Sequence, residues 1–108
     1  MSEVKEMTQA NQENKYVINV ALKEPVEIDG NKIDKIILDF SNFTGEDILK
    51  VDEELRIEGK IFDNIFNQHA MLLLAAKAAK MNPYDLKKLK AGDYLEVVFQ
   101  TRNFFVRW

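Results

Sequence analysis

The sequence predicts an α+β fold, an N-terminal β-hairpin packed against three to four α-helices. Three observations carry this. From Tyr16 to Phe40 apolar residues alternate with polar ones, around the turn signal Asp29-Gly30. From Thr44 onward they recur at helical spacing, and each segment has its own start and stop signals. Side chains alternate across a strand and return every 3.6 residues on a helix, so the change of period marks a change of element. Finally, 108 residues without a cysteine suit one core of ordinary size that needs no staple.

Residues 1–15 are polar and aperiodic and read as a disordered tail, with 16–108 as the domain. The first strand sets Tyr16, Ile18, Val20 and Leu22 on one face. Pro25 interrupts it, since proline has no amide to give to a ladder. Val26 and Ile28 resume the alternation, and the return strand runs through Ile33, Ile36, Leu38 and Phe40. A two-residue loop at Asp29-Gly30 puts Ile28 opposite Asn31 and Val26 opposite Ile33. Continued without a break, that register pairs Val20 with Asp39 and Leu22 with Ile37. One extra residue around Pro25 instead sets Val20 and Leu22 against Leu38 and Ile36, uniting the apolar faces.

The helices follow. Thr44 is an N-cap with Asp47 at N3, and Phe43 and Ile48 stand at the hydrophobic-staple positions. Ile48, Val51 and Leu55 stripe the short helix, and Gly59 breaks it. The spacing then predicts a long helix from about Lys60 to Met81, striped by Ile61, Ile65, Leu72, Ala76 and Ala79 beside Phe62, Phe66 and Leu73. Asn82 caps the next helix, with Pro83 at N1 and Asp85 at N3. Leu86 and Leu89 are its buried side, and Ala91-Gly92 closes it. Asp93 caps a last helix to about Phe104.

Composition narrows the function. The formal charge of −3 argues against general binding to nucleic acid, where Lys and Arg supply most of the affinity. The charge is uneven: residues 1–60 hold fourteen acids against eight bases, residues 61–108 four against seven. Such polarity is compatible with a homo-oligomer or with docking on a charged partner, but two ordinary solvated faces are the default reading. The longest apolar run, 70–76, falls short of the roughly 20 residues that span a bilayer, and the N-terminus has no signal-peptide run. The expectation is a cytoplasmic protein with no membrane partner.

No residue cluster is built for catalysis, a metal or a cofactor. His69 is the single histidine and Asp52-Glu53-Glu54 diverge around a helix axis. The four glycines form no phosphate-binding loop. Arg102-Asn103-Phe104-Phe105-Val106-Arg107-Trp108 is the unusual stretch, placing three aromatics and two arginines at a chain end. Either it folds back into the core or it presents hot-spot residues to a partner. The candidate partner contacts are Phe99, Arg102, Phe104, Phe105, Arg107 and Trp108, with Lys87, Lys88 and Lys90 as a second patch.

Leu22 to Phe40, with its Pro25 and Gly30, is followed by Thr44-Gly45-Glu46-Asp47-Ile48, then by the Leu/Ala-rich Leu72 to Ala79, then by Leu86, Leu89 and Asp93. This ordered pattern, covering roughly residues 16–105, resembles the small tail assembly chaperones of long-tailed bacteriophages and prophages. One departure is the turn after the Leu/Ala helix, where members often carry a glycine and prolines and Met81-Asn82-Pro83 keeps only the proline. The resemblance implies a non-catalytic assembly factor that binds the tape-measure protein, helps recruit the tail-tube protein, and is absent from the mature virion. The rival readings are a tail or connector component retained in the virion, and a small regulatory module that binds one protein.

Overall fold

The structure, a computed structural model, describes residues 14–64 and 67–107. The expected disordered tail therefore lies outside the described residues up to position 13, and Asn14–Tyr16 form one turn of 3₁₀-helix. Strand β1 (Val17–Ile28) and strand β2 (Asn31–Asp39) make a two-stranded antiparallel sheet. Four helices follow: α1 (Gly45–Ile57), α2 (Gln68–Ala79), α3 (Pro83–Leu86) and α4 (Ala91–Arg107). The architecture is the expected α+β one.

Asp29 (φ 53°) and Gly30 (φ 80°) both take the left-handed conformation that a two-residue hairpin turn demands. Ile28 pairs with Asn31 and Val26 with Ile33, as expected. Beyond the bulge the pairing differs from expectation. Val20 lies opposite Ile36 and Ile18 opposite Leu38, so Leu22, Lys23, Glu24 and Pro25 together face Asp34 alone. The bulge holds three extra residues rather than one. Both numbers are odd, so Val20, Leu22, Ile36 and Leu38 still share the buried face, displaced by one full pleat.

Helix α1 starts with a complete capping box: Thr44 accepts from the Glu46 amide at 3.3 Å, and Asp47 Oδ2 accepts from the Thr44 amide at 2.9 Å. It ends in a Schellman turn, where Lys60 N donates to Leu55 O at 2.7 Å and Gly59 sits at φ 76°. The long helix expected from Lys60 is shorter and begins at Gln68. Its cap is Asn67, which accepts from Ala70 N through Oδ1 at 3.0 Å. Its Nδ2 donates to Ile61 O at 3.1 Å and Asp63 Oδ1 at 3.0 Å. Asp63, Asn64 and Asn67 favour such local bonds over a helix interior, which explains the late start. Ile65 and Phe66, assigned to that helix from their spacing, lie outside the described residues.

Helix α2 is the centre of the molecule. Its first face joins Val20, Ile36, Leu38 and Phe40 of the hairpin with Leu86, Val97 and Phe104. Its second, through Ala70, Met71 and Leu74, joins Val51 and Leu55 of α1 with Val98 of α4. Helix α3 is a single turn behind Asn82 and Pro83. Ala91 and Gly92, expected to close it, instead open α4, and Tyr94 N bonds back to Lys90 O at 2.8 Å.

Candidate functional site

Helix α4 has two different apolar sides. Val97, Thr101 and Phe104, with Val98 and Phe105 beside them, turn inward. Leu95, Phe99 and Val106 fall on the opposite side at i, i+4 and i+11, together with Arg102. Leu95 is 54% and Phe99 45% exposed. Buried Met71 and Val98 floor a groove of about 400 Å³ against α2, with Leu95, Phe99, Gln68, Glu96 and Arg102 along its sides. The Arg102 guanidinium lies 5.1 Å from the centre of the Phe99 ring, a cation–π distance.

The expected partner contacts therefore divide. Phe99 and Arg102 stand together in the groove. Phe104 is 8% exposed and stacks on Phe40 with centroids 4.3 Å apart and planes 11° from parallel. Phe105 meets Phe40 edge-on at 5.3 Å and Phe104 at 5.3 Å. Assigning Phe104 to partner contact is thus corrected, and Phe105 is half-buried beside it: the hairpin ends in the fully buried Phe40, and these two rings cover it. Arg107 is exposed and lines a separate recess with Lys15, Tyr16 and Phe104. Trp108 lies outside the described residues.

The three lysines each have a different neighbour. Lys87 lies over the Tyr84 ring at 5.0 Å, Lys88 pairs with Asp85 at 3.1 Å, and Lys90 lines a polar recess beside β1. All three are exposed.

Sequence reasoning missed the role of Asp93. It is not an N-cap but the third residue of α4, 6% exposed, with its carboxylate turned across to the β1 bulge. Oδ1 accepts from Lys23 N and Oδ2 from Glu24 N, both at 3.0 Å. Those amide bonds, from Lys23 and then Glu24, hold its pKa below the ordinary carboxylate value despite the opposing pull of burial. One signal was present in the sequence, an aspartate at the start of a helix, but nothing local names partners about 70 residues away.

Among the described residues no group of three or more His, Asp and Glu side chains could hold a metal ion, and no helix is long and apolar enough to cross a membrane. Comparison with family models, curated proteins and solved structures found no match.

Proposed function

We propose that this chain is a non-catalytic tail assembly chaperone of a bacteriophage or prophage, which shelters helices of the tape-measure protein and helps recruit tail-tube subunits. It acts in the cytoplasm of the bacterial host and leaves before the virion is complete. The observation that carries the reading is the α2–α4 groove. An amphipathic helix laid along a groove binds through anchors at i, i+3, i+4 and i+7, and exposed Leu95 and Phe99, above the buried floor of Met71 and Val98, offer complementary apolar surface. Order and spacing of the motifs from Leu22 to Asp93 support the family reading, and the groove offers a means of binding.

Co-expression with the tape-measure protein of the same genome tests this. The tape-measure protein is expected to stay soluble with the wild-type chain and to return to the pellet with Leu95→Asp/Phe99→Asp, two exposed positions. A tape-measure protein no more soluble with the wild-type chain than without it overturns the proposal. Mass spectrometry of purified virions is expected to find the chain missing, which separates this reading from a retained tail component.

A further inference from the structure

The two edges of the hairpin are treated differently. On β1 the outer edge is guarded: Pro25 has no amide, and the amides of Lys23 and Glu24 are taken by Asp93. The first turns of α4 stand beside it, Gly92, Asp93 and Glu96 sharing a recess with Asn19, Ala21 and Lys23. On β2 the sole strand neighbour among the described residues is β1. Because Phe40 N donates to Tyr16 O at 2.8 Å, and the register of that half sets Leu38 against Ile18, the bonded positions of β2 there are Ile36, Leu38 and Phe40. The intervening residues, Lys35, Ile37 and Asp39, therefore aim N–H and C=O away from β1. Natural sheets blunt such edges with proline, a bulge, inward charge or an edge lysine; Lys35 to Asp39 has no proline, bulge or inward charge, and its one lysine is matched by an aspartate four residues on.

We infer that this edge pairs with the same strand of a second copy, antiparallel about a twofold axis through Ile37. The sequence Lys35-Ile36-Ile37-Leu38-Asp39 is self-complementary in that register. Ile37, 45% exposed on the solvent face, meets Ile37 of the second copy. Lys35 meets Asp39 of the second copy, and Asp39 meets its Lys35, two opposite-charge pairs on one face. On the other face Ile36 and Leu38 exchange places and continue the buried layer. Asp39 Oδ1 already accepts from Ser41 N and Oγ, and the pairing with Lys35 uses Oδ2. Sliding the strands by two residues in either direction loses both charge pairs, and sliding by four sets Lys35 on Lys35 or Asp39 on Asp39, so charge favours this register. The result is a four-stranded sheet across an isologous dimer.

Sedimentation equilibrium of the full chain, with no phage protein added, tests the inference apart from the proposed function. The wild type is expected to approach twice its 12.6 kDa mass as concentration rises. Lys35→Asp sets like charges opposite each other twice and is expected to weaken the dimer by roughly tenfold or more. Ile37→Lys is expected to abolish it. Both positions are exposed, so thermal unfolding should show the folded monomer intact in either variant. In hydrogen exchange, the Ile37 amide should become protected as the dimer forms, while those of Asn19 and Ala21 stay unchanged. A chain still monomeric at about 1 mM, at the weak end of specific association, overturns the inference. So does a dimer indifferent to both variants, or one that protects Asn19 and Ala21.

Discussion

Asp93 shows what one carboxylate does when two amides have no strand partner. Its folded pKa is depressed, so the stability it contributes is present above the unfolded value of 3.8 and is lost as pH falls through the lower folded value. Asp93→Asn is expected to lower the melting temperature at neutral pH, and the gap to wild type should narrow as pH drops below that range. Lys80 is a second residue out of the ordinary. It holds φ 57° at the end of α2, where Met81 N donates to Ala76 O at 2.9 Å in a Schellman turn. A left-handed residue bearing a Cβ costs roughly 1–2 kcal/mol, so Lys80→Gly is expected to raise stability by about 1 kcal/mol in urea unfolding. The aromatic residues of α4 give a paired contrast. Phe104→Ala is expected to cost about 3–5 kcal/mol by emptying the space against Phe40, whereas Phe99→Ala, half-exposed, should cost less, about 1 kcal/mol.

Among the elements, the caps were the easiest to read. Thr44 with Asp47, and Asn82 with Pro83, begin helices where sequence alone puts them, because a cap is a local exchange of hydrogen bonds. The start of α2 was misread because Ile61, Phe62 and Leu73 keep helical spacing, while Asn67 offers three local bonds that a continuous helix would forfeit. Asn67→Ala is expected to cost about 1–2 kcal/mol in chemical denaturation, more than an ordinary surface change. In the hairpin, turn and facing were legible and the amount of slippage was not. Periodicity fixes which side chains share a face, whereas the length of the bulge is set by Asp93, which lies 69 and 70 residues away from the amides it holds. The groove was half legible for a related reason. Phe99 and Arg102 stood out by type, but separating them from Phe104 and Phe105 needs the direction in which α4 is turned.

At the scale of the molecule, α2 joins both clusters of the core. Leu72, Ala75 and Ala76 belong to the cluster that faces the hairpin, while Ala70, Met71 and Leu74 belong to the one that faces α1. Neither cluster is complete without it, so the hairpin and α1 are expected to unfold together. Leu55→Ala, in α1, should cost about 2–5 kcal/mol. It should leave one transition, with far-ultraviolet circular dichroism and hairpin amide signals coinciding; two separated transitions would show that α2 does not couple them. The β1 bulge also governs how this chain can change in length. The stretch from Leu22 to Pro25 carries slack, three residues beyond what Asp34 requires. Deleting two of them would leave Ile18 and Val20 pointing inward, whereas deleting one would turn half the hairpin inside out. Among homologous chains, insertions and deletions at this point should therefore come in even steps.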